Sequence, residues 1–158
     1  MGIHLEITVA GEQQLARAFN RFTSAINDFT TLWPRLREVF YQMEMKQFAS
    51  EGAHGGNSWV PLSQKYADWK SRHFSGSPLL VLSGNLKRQL TGNEGIYRAH
   101  KDNMEIGAGG AYAYLHQKGT SKMPSREPIR MAEGDKTAFG KGMHEWLFNE
   151  ARKVAASA

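Results

Sequence analysis

The stretch from Phe48 to Leu90 restricts the fold more than any other, because it places five glycines around two short helix-like patterns. Glycine reaches backbone angles that other residues avoid, so we expect loops joined by short helices here rather than one long element. Ser63 and Ser83 each precede one of the helix-like patterns, and their hydroxyls are predicted to act as N-caps. The stretch contains no catalytic signature.

Hydrophobic periodicity predicts a strand and two helices before this stretch. Apolar and polar residues alternate over residues 3–9, as in a half-buried strand. From Glu12 the period becomes helical, and the stripe that we expect to enter the core consists of Leu15, Ala18, Phe19, Phe22, Ile26 and Phe29. Pro34 suits the first turn of a second helix, since its missing N–H would have no partner there. The two helices are expected to pack together as a hairpin.

The patterns after residue 90 predict a β-hairpin and two further helices. Residues 96–100 and 104–108 have the composition of two antiparallel strands, and residues 111–119 that of a short helix or turn ending at glycine. The prolines within residues 123–128 favour an extended connector, after which residues 129–131 are expected to form one more strand. Asp135 is predicted to cap the last helix.

Length and composition indicate a single domain comprising residues 1–158. The chain has 158 residues, 41% of them hydrophobic, which suffices for one core. The absence of cysteine excludes disulfides and thiolate chemistry. No apolar run approaches the roughly 18 residues of a membrane helix, and the N-terminus lacks the pattern of a signal peptide. We therefore expect a protein made in a cytoplasm, without a membrane partner.

Positive charge is concentrated in the middle of the chain. Residues 61–131 contain eleven Lys and Arg against five Asp and Glu, whereas the net charge of the whole chain is only +5. Lys65, Lys70, Lys87 and Arg88 lie there among aromatic residues, and they are the candidates for contact with DNA or with an acidic partner. Because no base-reading module accompanies them, a DNA-binding accessory protein is the alternative function rather than the first.

The side chains that perform catalysis or bind metals do not form a recognisable set. The six histidines fall on different predicted elements, with no pair at the helical spacing of a zinc site. Neither Ser63 nor Ser83 lies in a G-x-S-x-G elbow. We therefore predict no catalytic residue, no metal site, no cofactor and no enzymatic activity.

Several motifs, taken in order, resemble a known family. They are W-V-P-L-S at the end of residues 52–63, L-L-V-L-S-G-N-L at 79–86, I-G at 106–107, Y-A-Y-L-H-Q-K-G at 112–119, and the proline-arginine connector. Together they resemble the phage virion morphogenesis family, which includes tail-completion and head-tail joining proteins of Mu-like tailed phages. The similarity runs from about Leu36 to Met131. The chain departs from the family pattern at Tyr66, where threonine is common, and at P-S-R-E-P in place of a compact P-A-R-P.

The resemblance implies an α+β fold in which a small antiparallel sheet packs against two long N-terminal helices and a C-terminal helix, as in a tail-terminator-like ring subunit. It also implies a structural virion protein of the head-tail neck that acts in tail completion or head-tail joining without catalysis. The implied partners are copies of itself in a ring, with a hexamer as one candidate, neighbouring neck and tail proteins, and genomic DNA in the channel. The implied location is the neck or tail end of the virion, after assembly in the bacterial host cytoplasm.

Two loops are expected to contact neighbouring subunits, namely the glycine loop (residues 50–62) and the proline loop (residues 118–128). Head-to-tail ring closure requires two different patches on each subunit, each burying roughly 800 Å². The predicted interface residues are Glu51, His54, Gly55, Asn57, Lys118, Lys122, Met123 and Arg126. The residues expected to anchor the core beside them are Trp59, Leu62, Leu82 and Leu86.

Overall fold

The computed structural model describes residues 12–156, which form an α+β fold as expected. Within that range the helices are α1 Glu12–Ile26, α2 Trp33–Ala49, α3 Gln64–His73, α4 Asn85–Thr91, α5 Ala111–Lys118 and α6 Glu133–Ala156, with a 3-10 turn at Ala53–Gly55. The strands are β1 Ile96–Ala99 and β2 Met104–Gly107. The strand predicted over residues 3–9 lies outside the described residues.

Helix α2 forms the centre of the core. It begins at Trp33 and Pro34, as the missing proline N–H predicted. Its apolar face packs on α4 and on the end of the glycine loop, and the buried members of this cluster are Phe40, Tyr41, Met43, Phe48, Trp59, Leu86 and Leu90. Helix α2 also packs on α6, where an ion pair joins Arg35 to Glu145. The core position expected for Trp59 and Leu86 is therefore confirmed.

Helix α1 packs along α6 and, within the described residues, not along α2, so the predicted helical hairpin is wrong. Leu15 and Phe19, expected in the core, have exposed fractions of 59% and 62%. Periodicity identifies the apolar face of a helix but not the surface that covers it, which depends on distant parts of the chain. Only the C-terminal end of the stripe approaches the core, where the ring of Phe29 lies 5.3 Å from that of Trp146.

The β-hairpin is confirmed, with Tyr97 opposite Ile106 and an ion pair of 2.8 Å between Arg98 and Glu105 across the strands. The strand expected at residues 129–131 is wrong, because that segment is irregular. The backbone N–H and carbonyl oxygen of Ile129 instead form hydrogen bonds with one side chain. The Gln117 amide accepts from the N–H of Ile129 at 3.1 Å and donates to the carbonyl oxygen of the same residue at 2.9 Å.

The first turns of α3 and α4 are not capped by Ser63 and Ser83 as predicted. Ser63 directly precedes α3, but its hydroxyl makes no capping hydrogen bond. Helix α4 begins after Gly84, whose φ of 78° is readily adopted only by glycine, and Ser83 merely accepts from the N–H of Asn85 at 3.4 Å. Asp135 does accept a hydrogen bond from a backbone N–H at the start of α6. It lies at the third helical position and reaches back, where Oδ2 accepts from the N–H of Ala132 at 2.8 Å.

Candidate interaction surface

The glycine loop and the proline loop lie against each other and form one surface. Arg126 of the proline loop donates from Nε to the carbonyl oxygen of Val60 at 2.6 Å and from Nη2 to that of Pro61 at 2.9 Å. In the opposite direction, Trp59 donates from Nε1 to the carbonyl oxygen of Glu127 at 2.9 Å. The two segments that the sequence singled out separately are therefore neighbours, and buried side chains hold them together.

The glycine loop is attached to the core at its base. Gly52 has a φ of 93°, and a Cβ atom there would lie 2.5 Å from Cδ1 of Trp59, so no larger residue fits. Gln47 of α2 is fully buried and links both loops, since its Oε1 accepts from the N–H of Gly55 at 2.9 Å and its Nε2 donates to the carbonyl oxygen of Glu127 at 3.1 Å. The outer part, residues 56–58, is exposed.

A buried acidic group lies behind this surface. Both oxygens of the Glu44 carboxyl are buried and have no hydrogen-bond partner within residues 12–156. Burial raises the pKa of Glu44 to about 9, and the charge of Asp135 acts in the same direction. The nearby Asp135 is paired, with its Oδ1 and Oδ2 at 2.9 and 2.8 Å from Nε2 of His54. Glu44 is therefore uncharged at neutral pH.

Sequence reasoning did not identify Glu44 as a buried group, although one signal was present. Position 44 lies four residues after Phe40 and four before Phe48, and both of these phenylalanines belong to the buried face of α2. The spacing alone therefore placed Glu44 on the core side. A charged residue at such a position is usually taken for part of the solvated face, because burial of an unpaired carboxylate is costly.

The predicted interface residues differ in exposure. Asn57, Lys118 and Lys122 are exposed, and they form the accessible part of the joined loops. Four others are half-buried, namely Glu51, His54, Gly55 and Met123. Arg126 is only 5% exposed, with its guanidinium directed to backbone carbonyls of its own subunit, so it connects the loops rather than projecting from them. Contact of this surface with another subunit stays a prediction.

The predicted basic residues do not all present their charge to solvent. Lys65 and Lys87 are exposed, and Arg88 is exposed but paired with Glu94 at 3.0 Å. Lys70 is only 6% exposed, and its Nζ donates to the carbonyl oxygen of Pro78 at 2.5 Å. Burial lowers the pKa of Lys70, an effect that the charge of Glu51 partly offsets. Lys70 therefore supports the fold of the 78–82 segment.

A groove of about 590 Å³ lies beside the joined loops, between α3, α5, residues 80–86 and the proline loop. Leu82, expected in the core, is instead exposed at this groove. The apolar side chains that line it include Leu62, Tyr66, Val81, Leu82, Met123 and Pro124. Lys70, His116, Lys122 and Arg126 also line it, whereas none of the lining residues in the described chain is Asp or Glu.

His116 lines this groove, and one of its two ring nitrogens has no hydrogen-bond partner in the described residues. Its Nδ1 is buried without a hydrogen bond to any part of residues 12–156. Burial lowers the pKa of His116, and the charge of Arg126 acts in the same direction. The imidazole is therefore held in its neutral form beside a buried guanidinium.

The histidines do not assemble into a metal site in the described part of the chain, where no three His, Asp or Glu side chains could hold an ion together. Over the same range, no helix combines the length and the apolar composition needed to span a bilayer.

Comparison with known families identifies the chain. A model of the phage virion morphogenesis family matches residues 10–142. The chain belongs to this family. The match spans both loops and the groove, and it confirms the resemblance carried by the sequence motifs. Comparison with curated proteins and with solved structures gave no match.

Membership in the phage virion morphogenesis family establishes the class of the protein. It is a structural, virion-associated protein that acts in phage morphogenesis, and the family is not known as an enzyme family.

Proposed function

We propose that this family member is a structural subunit of the head-tail neck, where it acts in tail completion or head-tail joining as part of a ring of identical copies and without catalysis. The family match over residues 10–142 carries the proposal. The joined loops support it, because Trp59, Gln47 and Arg126 hold them in place before any partner binds. A pre-ordered surface loses little conformational entropy on association.

A head-to-tail ring requires two different patches on each subunit, and the subunit offers two candidates. One is the joined loops, with Asn57, Lys118 and Lys122 exposed. The other lies on the packed helices α1 and α6, where Phe19 is 62% and Phe148 57% exposed. Exposed aromatic side chains are enriched at the centres of protein interfaces. Neighbouring neck and tail proteins would bind the faces of the ring that these patches leave open.

Replacing Asn57 with tryptophan is expected to weaken self-association at least tenfold, while loss of the exposed hydrogen bond between Asn57 and Arg130 lowers the stability of the subunit by about 1 kcal/mol at most. Asn57 lies on the exposed part of the glycine loop, where a large side chain does not enter the core but obstructs a close-packed neighbour. The matched control is Asn93→Trp, at an exposed turn before β1 and outside both loops. Native mass spectrometry over a range of protein concentrations, with thermal unfolding in parallel, measures both quantities.

The same measurement is repeated with neck proteins of the same phage, since a subunit that is monomeric alone still fits the proposal if it forms a ring on a neighbouring protein. The proposal predicts a single ring stoichiometry, either for the protein alone or in complex with a neck protein of the same phage. A protein that is monomeric under all of these conditions would contradict it. If Asn57→Trp assembled as well as wild type does, the glycine loop would not be part of the interface.

An aromatic stack on α3 favours a second candidate, a DNA-binding accessory role. The rings of Tyr66 and Trp69 are stacked with centroids 5.4 Å apart, and both side chains are exposed. Lys65 and Arg72 lie on the same helix and are also exposed. Exposed aromatic rings beside cations are the arrangement on which single-stranded nucleic acids stack.

The Trp69 ring is also stacked on His73, with centroids 5.0 Å apart, so the ring of Tyr66 provides the outer face of the stack. The second candidate predicts that Tyr66→Ala lowers affinity for a single-stranded oligonucleotide by about 1–3 kcal/mol, the usual contribution of one stacked base. Fluorescence anisotropy at several salt concentrations tests this, because binding to phosphates weakens as salt rises. Lys141→Ala, on the exposed side of α6, is the control for loss of an unrelated charge. Affinity that does not depend on salt or on Tyr66 would exclude this role.

A further inference from the structure

The groove between α3, α5 and the proline loop has an unusual charge balance. Its three Lys and Arg side chains, Lys70, Lys122 and Arg126, have no carboxylate at ion-pairing distance within residues 12–156. Buried cations such as Lys70 and Arg126 are normally paired with a carboxylate in proteins, since removal from water without a counter-charge is costly. The lining of the groove in the described chain therefore has a net positive charge, and the charge of Glu51 acts on Lys70 only from outside this lining.

The cations retain donors that can bind an acceptor in the groove. Lys70 uses one of its three N–H donors, on the carbonyl oxygen of Pro78, in the described structure. Arg126 uses two of its five, on Val60 and Pro61. Both side chains lie where water is largely excluded, since Lys70 is 6% and Arg126 5% exposed. A carboxylate that enters such a site forms stronger hydrogen bonds than it would form on the surface.

Two further features of the groove point to a missing occupant. The buried Nδ1 of His116 has no partner in the described residues, although buried polar atoms are nearly always hydrogen-bonded. Leu80, on the groove wall, has a φ of 56°, and a non-glycine residue with this backbone conformation is under strain. Strained residues cluster at ligand clamps, where the surrounding structure maintains them for function.

We propose that this groove binds an apolar peptide segment with an acidic residue, supplied by a neighbouring protein of the virion. The carboxylate accepts from the unused donors of Arg126, with Lys122 in the same lining, and the flanking apolar side chains pack on Leu62, Leu82 and Met123. Only the source of the peptide rests on the proposed neck function. The chemistry of recognition follows from the groove, whose volume of about 590 Å³ lies within the range of roughly 300–1,000 Å³ of known ligand sites.

The test uses the full chain and two blocked peptides that differ by one group, acetyl-Ala-Leu-Glu-Leu-Ala-amide and the same peptide with Gln in place of Glu. The reporter is Met123, which lines the groove, through the NMR signal of its ¹³C-labelled methyl group. We expect the Glu peptide to shift this signal and to bind at least tenfold more tightly than the Gln peptide, because its carboxylate makes charge-assisted hydrogen bonds.

Two exposed positions test the site without disturbing the buried cations. Lys122→Glu reverses the charge at the rim and Leu82→Glu adds a carboxylate to the wall, and each is expected to weaken the Glu peptide at least tenfold. Lys101→Glu, an exposed charge reversal in the β1–β2 turn, is expected to bind as wild type does. Thermal unfolding of each variant establishes that it is folded.

Three results would overturn the proposal. The first is equal affinity for the Glu and Gln peptides, and the second is unchanged binding by both groove variants. The third is a Met123 signal that responds to a DNA oligonucleotide at the same concentration and not to the Glu peptide, which would make the groove a phosphate site. The peptide assay does not require the subunits to assemble, so its failure would leave the ring proposal intact. Conversely, a protein that stays monomeric but binds the Glu peptide would contradict the ring proposal and support the peptide groove.

Discussion

Replacing Glu44 with glutamine is expected to raise the free energy of unfolding at pH 7, because it removes a proton-uptake cost of about 3 kcal/mol. The Glu44 carboxyl is buried without a hydrogen-bond partner in the described residues, and its pKa rises from 4.5 to about 9 on folding. At pH 7 the unfolded chain carries Glu44 as a carboxylate, whereas the folded chain must hold it protonated. Glutamine has nearly the same shape and carries no proton that must be taken up.

The direction of the pH dependence follows from the raised pKa. Well below pH 4.5 the side chain is protonated in both the folded and unfolded states, so the stability difference between wild type and Glu44→Gln no longer depends on pH there. Between pH 4.5 and about 9 the folded state binds the extra proton, so the stability of wild type falls relative to the variant by about 1.4 kcal/mol per pH unit. Above about 9 the difference becomes constant.

Urea unfolding at pH 5, 7 and 8.5 measures this effect, with Glu38→Gln as the control. Glu38 lies on the exposed side of the same helix, and its replacement is expected to change stability by less than about 0.5 kcal/mol at each pH. Glu44→Met, which removes both unpartnered oxygens, should stabilise in the same pH range. A difference between wild type and Glu44→Gln that is the same at pH 5 and pH 8.5 would mean that Glu44 is not the buried acid described here.

Trp59→Ala is expected to lower the free energy of unfolding by about 3–5 kcal/mol, the usual cost of removing a large buried aromatic side chain. The Trp59 ring packs edge-on against Phe48, with centroids 5.4 Å apart, and its Nε1 donates to the carbonyl oxygen of Glu127. The substitution therefore leaves a cavity in the main core cluster and releases the proline loop from the glycine loop. Both effects act in the same direction.

Two matched variants separate packing from the hydrogen bond. Trp59→Phe keeps most of the ring but loses the Nε1 donor, so we expect a loss of about 1–3 kcal/mol. Tyr114→Ala removes an aromatic side chain that is 64% exposed on α5 and should cost less than about 1 kcal/mol. Urea unfolding followed by circular dichroism reports all three. If Trp59→Ala were no more destabilising than Tyr114→Ala, the joined loops would not depend on the core.

Local sequence signals were reliable where the information they need is local. Pro34 marked the start of α2 correctly, because a missing N–H has the same consequence in any helix. The β-hairpin at residues 96–107 was also predicted, since strand pairing across a short turn involves neighbouring residues. The strand at residues 129–131 was not, because the Gln117 side chain takes the backbone groups that a strand would use.

The candidate surface was predicted in outline and corrected in detail. The glycine and proline loops were identified from residues that exclude regular structure, and both lie at the surface as expected. Their contact through Arg126 and Trp59 could not be predicted, because the hydrogen bonds join residues more than sixty positions apart in sequence. Lys70 was assigned to an exposed basic segment, yet the fold buries it against the carbonyl oxygen of Pro78.

Motif order, composition and periodicity were sufficient to predict the family, the fold class and the central helix α2, because they do not depend on how the chain folds. The folded molecule was needed to show that α6 covers α1, that Glu44 is buried and uncharged, and that a groove lined by cations and by no carboxylate of the described chain lies beside the joined loops. Burial and charge balance depend on which distant segments meet. No local sequence pattern shows which distant segments come into contact, and these contacts form the proposed assembly surfaces.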